Sequence, residues 1–199
     1  MTYLFGALLI PLIILVLVAL WAMGVYNRLI TLRNRYENAF SQIDVQLKRR
    51  HDLIPNLVNI VKGYIAHEKD TLEAVIQART AAISATSNAA ANPGDQSAMN
   101  TLASAESNLN GALGRLMMVA EDYPDLKANE NMLALQEELT STENKVSFAR
   151  QSYNDSVTAY NTATELFPGS LVAKNFSFSM AELFEVEEEV QRDAPAVEF

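Results

Sequence analysis

A chain of 199 residues makes one compact domain or little more, and a composition 49% hydrophobic and 20% charged excludes a disordered, collagenous or low-complexity protein. A net charge of −9 argues against a nucleic-acid partner, which calls for basic surface, and the absence of cysteine excludes disulfides, a thiolate nucleophile and a lipid-attachment cysteine. Seven Gly and six Pro are few for this length, and point to long helices rather than a turn-rich β fold.

No charged side chain precedes Arg28. Tyr3 to Tyr26 is nearly unbroken Leu, Ile, Val, Ala and aromatic, about 36 Å of helix at roughly 1.5 Å per residue, enough to cross about 30 Å of hydrocarbon. Leu12 and Leu17 fall inside this span; Tyr3, Trp21 and Tyr26 suit its two interfaces. A cleaved signal peptide fits less well, because a basic n-region and a small-x-small site are missing. A single transmembrane anchor, with the lipid bilayer as its partner, is the expectation.

Arg28, Arg33, Arg35, Lys48, Arg49 and Arg50 follow the span and no cation precedes it. By the positive-inside rule this places the C-terminal part in the cytoplasm. Residues 1–50 hold six cations and two acids, a net +4, so the −9 of the whole chain leaves −13 on residues 51–199. A basic collar lies beside the membrane and an acidic body beyond it.

Apolar residues then recur at helical spacing: Leu29, Leu32, Tyr36, Ala39/Phe40, Ile43 and Leu47 in one stripe, and Leu53/Ile54, Leu57/Val58, Val61, Tyr64/Ile65, Leu72, Val75/Ile76 and Ile83 in a second. Asp52 as N-cap and Pro55 in a first turn favour a break between them, the alternative being one helix kinked at Pro55. Ser87 to Asp95, small and punctuated by Pro93-Gly94, reads as a loop. A third helix, with Met99, Leu102, Leu109, Leu113 and Leu116 inward, runs to about Glu121, and Asp122-Tyr123-Pro124-Asp125 interrupts the chain.

In the fourth segment Met132, Leu139, Val146, Tyr153, Tyr160 and Phe167 fall at seven-residue intervals, with Leu135, Thr142, Ala149, Ser156 and Ala163 three residues after the first five. Large residues at one seam position and mostly small ones at the other describe close packing in a bundle, so Tyr153 and Tyr160 read as core. Phe167-Pro168-Gly169 ends the helix. A short acidic helix is expected from Met180 to Val190.

The expected fold is therefore all-α: a transmembrane anchor (1–27), an antiparallel four-helix bundle (28–167) and a C-terminal extension with an acidic helix (168–199). Bundles can hold di-metal carboxylate sites through Glu-x-x-His pairs, but the residues three before His51 and His67 are Lys48 and Tyr64. His67-Glu68 does not extend to a zinc motif, because position 71 is Thr. No catalytic residue, metal or cofactor is expected, and His67, Glu68 and Asp70 read as an exposed face. The densest stretch is Lys48-Arg49-Arg50-His51-Asp52. It reads either as a capped turn or as a subunit or lipid-headgroup contact; Glu185, Glu187, Glu188 and Glu189 of another copy are candidate partners, if they are more than a solvated face.

The long central run Ser41 to Val58, with Val61-Lys62-Gly63-Tyr64, Tyr153-Asn154-Asp155, Tyr160-Asn161-Thr162, Phe167-Pro168-Gly169 and the acidic ending, closely resembles the LemA protein family over nearly the whole chain. The resemblance implies a membrane-anchored bacterial protein with a helical bundle of bromodomain-like topology. It brings no catalytic residues and no defined biochemical activity. Two functions remain in view: a self-assembling membrane scaffold, hence a homo-oligomer, or an adaptor that presents a helical surface to another membrane protein.

Overall fold

The computed structural model describes residues 2–65 and 67–186, with side chains from Pro11 onward. Among these are six helices and no strand: α1 (Thr2–Lys62), α2 (Lys69–Ala91), α3 (Gln96–Ala120), α4 (Pro124–Lys127), α5 (Glu130–Glu165) and α6 (Gly169–Asn175). The part of α1 beyond Leu29 packs along α5 and, lower down, on α2; α2 pairs with α3, and α6 lies across the upper ends of α1 and α5. This is an up-down-up-down bundle of long helices, as the heptad and amphipathic spacing expects.

Three boundaries differ from expectation. The chain does not break at Asp52–Pro55: α1 is one helix of 61 residues, Pro55 lies inside it, and Asp52 is exposed and caps nothing. Ile54, Leu57, Val58 and Val61 are buried on the same face as Ile43 and Leu47, and this continuous packing outweighs the cost of the proline. The turn comes instead around Gly63, and Tyr64, Ile76 and Ile83 of the second stripe face outward while Ala82, Ala85 and Ala89 face the core.

The loop expected over Ser87–Asp95 is shorter, because α2 runs through Ala91. Alanines are strong helix formers, and Thr86 and Ala89 are buried against the bundle, so tertiary packing extends the helix to the residue before Asn92-Pro93. Asp95 then caps α3 by accepting from the Ala98 amide at 2.9 Å, and Asn129 caps α5 by accepting from Met132 at 3.1 Å.

The third difference is the C-terminal segment. Phe178 to Val186 is not helical; Phe178, Ala181 and Phe184, every third residue, are buried, so that one side of this irregular, extended segment lies against the bundle. Residues 187–190 of the expected acidic helix lie outside the described residues. The extended form is held because α5 supplies hydrogen-bond partners that a helix would otherwise find within itself.

Candidate functional site

The basic stretch on α1 divides between surface and core. Lys48 is exposed and pairs with Asp44 one turn back at 2.7 Å, and Arg49 bridges to Glu138 on α5. Arg50 points inward. Its side chain is buried, reaches Glu106 Oε2 on α3 at 3.3 Å and donates to Asn110 Oδ1. The neighbouring His51 is 2% exposed, and its Nε2 lies 2.8 Å from Glu106 Oε1. A carboxylate only accepts, so Nε2 carries the hydrogen. Glu106, itself 2% exposed, is thus fully engaged by one cation and one imidazole from adjacent positions of α1.

Charges this deep are kept only when paired and hydrogen-bonded, and the set locks α3 against α1. Arg79 on α2 completes it by donating from Nε to the His51 carbonyl at 2.7 Å. The helical spacing of α1 shows Arg50 as a core position once Leu47 and Ile54 are placed. Glu106 falls in the same way between Leu102 and Leu109 on α3; what no spacing carried is the pairing, because Arg50, Glu106 and Arg79 belong to three helices that only the fold joins.

α3 and α5 stand apart over Arg50, and the gap between them is a groove. Its upper part is filled by the C-terminal segment. Asn161 holds Ala181 twice, donating from Nδ2 to its carbonyl at 2.8 Å and accepting from its amide at 2.9 Å. Asn154 does the same to Phe184, at 3.2 and 2.9 Å. Beside these clamps the Tyr153 hydroxyl donates to the Glu182 carbonyl at 2.8 Å and the Tyr160 hydroxyl to the Ser179 carbonyl at 2.9 Å.

The spacing is self-consistent. Seven helical residues advance about 10.5 Å, and three extended residues about 10 Å, so the repeated Tyr-Asn pair reads main chain at every third tail residue. The Tyr153 and Tyr160 rings do lie in the core, stacked edge-on or tilted with Tyr36 and Phe40, while their hydroxyls belong to this latch. Burial, with Tyr160 and Glu37 adding to it, pushes the Tyr36 hydroxyl up to about 12, and burial likewise raises Tyr153.

Below the latch the groove is open, with a volume of about 470 Å³; Arg50, Asn110, Met117, Gln136, Thr140 and Glu143 are among its lining residues. The other residues singled out by the sequence are dispersed. Leu12, Leu17 and Trp21 are exposed on the upper part of α1, while Tyr26 is half-buried against Phe176 and Phe178. Tyr3 lies in α1, its side chain outside the described set. Glu185 is exposed beside the polar face of α3, and among the described residues it pairs with none of Lys48, Arg49 and Arg50. Glu187, Glu188 and Glu189 lie outside the described residues. His67 is exposed in the α1–α2 turn, away from His51 and Glu106.

The LemA family matches residues 39–199, which include α1 from Ala39 onward, the buried ion set and the latch. The chain belongs to the LemA family. Among curated proteins this LemA-family chain is similar to magnetosome protein MamQ 2 of Paramagnetospirillum magneticum, 25% identical, covering 86% of this chain and 68% of the relative. Magnetosome protein MamQ of Magnetospirillum gryphiswaldense is 24% identical, with 80% and 64% covered. Protein LemA of Metamycoplasma hominis is 28% identical, with 83% and 71% covered. None of these names a reaction. What the LemA-family geometry offers is a rigid frame, a main-chain clamp and a groove.

Proposed function

We propose that this chain is a non-enzymatic, membrane-anchored scaffold that assembles with copies of itself. The observation that carries the reading is α1. Its upper part exposes an apolar surface of a membrane span's length and hydropathy; from Leu29 on, the same unbroken helix forms the bundle core. A joint without a flexible linker transmits the position of the membrane directly to the bundle. The cation bias of residues 28–50 supports a cytoplasmic bundle at the inner membrane of a bacterial cell.

Self-assembly has its support on the outer face of α2, where Ile76 and Ile83 stand exposed one heptad apart. A homo-oligomer of cyclic or higher symmetry follows. Native mass spectrometry of the full chain in mild detergent tests this: discrete oligomers are expected, and a sharply monomeric species overturns it. Charge reversal at exposed Lys48 and Arg49 probes whether the collar joins the contact, since neither supports the core.

The open groove beside Arg50 favours a second reading, an adaptor that takes a segment of another membrane protein. Crosslinking in cells from the exposed face of α2 separates the two. Self-crosslinks support the scaffold, and one stoichiometric foreign partner supports the adaptor.

A further inference from the structure

The corner between α5 and α6 carries apolar side chains that the bundle leaves uncovered. Leu166, Phe167, Leu171 and Phe176 are 62, 76, 53 and 61% exposed, within eleven residues of one another. On a water-facing surface such a cluster is costly and marks a contact. Its neighbours in α6, Val172 and Ala173, are buried, so the short helix is itself anchored and turns Leu171 outward.

Its place in the fold says what covers it. The Phe176 ring lies 5.0 Å from that of Tyr26, at 62°, and the Phe178 ring lies 5.5 Å from it, at 73°. Tyr26 closes the apolar stretch of α1. The heights agree by a second route: α5 runs antiparallel to α1, with Tyr160 against Tyr36 at 5.1 Å. Ten residues up α1 from Tyr36 reach Tyr26, a rise of about 15 Å; α5 rises about 7.5 Å from Tyr160 to its end at Glu165, and the chain from Leu166 onward covers the remaining height to Phe176 beside Tyr26.

We infer that the α5–α6 corner is a second membrane-contact element, inserting Leu166, Phe167, Leu171 and Phe176 into the headgroup and upper acyl region around α1. The occupant is lipid rather than a second copy, because the patch is continuous with the apolar surface of the span and level with its interfacial tyrosine. Lys174, exposed in the last turn of α6, and Arg28 on α1 add cations suited to an anionic leaflet. Two contacts hold the bundle against the bilayer and fix its tilt, where one helix alone leaves the tilt free. The inference rests on the reading of α1 as an anchor.

Quenching of tryptophan fluorescence by bromine on lipid acyl chains tests both separately. The full chain is reconstituted in phosphatidylcholine–phosphatidylglycerol vesicles; native Trp21 reports the anchor. In a Trp21→Phe background, Phe167→Trp reports the corner. Phe148→Trp is the control, since Phe148 is 73% exposed on α5 and about 28 Å further from the membrane end. Both substitutions replace exposed aromatics and leave the core intact.

Emission from position 167 is expected to be blue-shifted and quenched severalfold more than from position 148. Quenching at 21 with none at 167 overturns the corner and leaves the anchor standing. No quenching at 21 overturns both. A blue shift at 167 that grows with protein density, without quenching, assigns the patch to a second copy and overturns the lipid contact.

Discussion

Arg79 Nε on α2 donates at 2.7 Å to the carbonyl oxygen of His51, the residue four before Pro55 on α1. In an ordinary helix that carbonyl accepts from the amide of residue 55, which proline lacks. A side chain from the neighbouring helix therefore takes the place of the missing intrahelical donor, and α1 continues through its proline for two more turns.

This substitution of one donor for another predicts a strong coupling. Arg79→Ala leaves the His51 carbonyl without its partner and is expected to cost about 1–3 kcal/mol. In a Pro55→Ala background the residue 55 amide returns, and the same Arg79 change is expected to cost at least 1 kcal/mol less. Chemical denaturation of the four proteins of the cycle measures it; additive effects refute the relationship.

Glu106 binds two groups from α1, so its loss strands a buried guanidinium. Glu106→Ala is expected to destabilise the bundle by about 3–5 kcal/mol, and Glu106→Gln by less, because the amide still accepts from one partner. Lys48→Ala, breaking an exposed pair with Asp44, is expected to cost no more than about 0.5 kcal/mol. Thermal unfolding in detergent ranks the three.

The latch makes a residue-level prediction for hydrogen exchange. Asn161→Ala removes the acceptor of the Ala181 amide and Asn154→Ala that of Phe184, so each is expected to speed exchange at its own amide by at least tenfold. Core amides in α1 are expected to hold their protection. Uniform deprotection throughout the bundle would show the tail to be an integral part of one cooperative unit, not a clamped segment.

Gly94 tests the same region from the other side. Its φ is +82°, its carbonyl accepts from the Glu182 amide at 2.9 Å, and a Cβ there would meet Ala181 Cβ at 2.9 Å. Gly94→Ala is expected to displace the segment around Ala181 and to destabilise by about 1–3 kcal/mol, through strain and overlap together. Faster exchange at the Glu182 amide, with α5 unaffected, is the readout.

Alkaline pH has a definite sign. The Tyr36 hydroxyl is raised to about 12 in the fold against 10 in the unfolded chain, and Tyr153 moves the same way. The unfolded chain loses its protons first, so this contribution is fully present below pH 10 and is lost as pH rises from there through 12. Phenolate absorbance at high pH is expected to lag behind that of the unfolded chain, and stability to fall over the same interval.

Much of this architecture is legible in local sequence. A charge-free run of 24 residues, apolar spacing of three and four, and heptads from Met132 to Tyr160 identify long helices and most of their inward faces, since each signal depends on neighbours along one helix. Three outcomes were decided only in the folded molecule. Pro55 lies inside α1 because Arg79, 28 residues on from His51 in sequence, supplies the donor to the His51 carbonyl. Ser87 to Ala91 is helix because its alanines have the bundle to pack on. The acidic stretch from Met180 to Val186 is extended because Asn154, Asn161, Tyr153 and Tyr160 bind its main chain. Periodicity reports which face of an element is apolar; whether a marginal segment coils, bends or extends depends on hydrogen-bond partners that other elements bring to it.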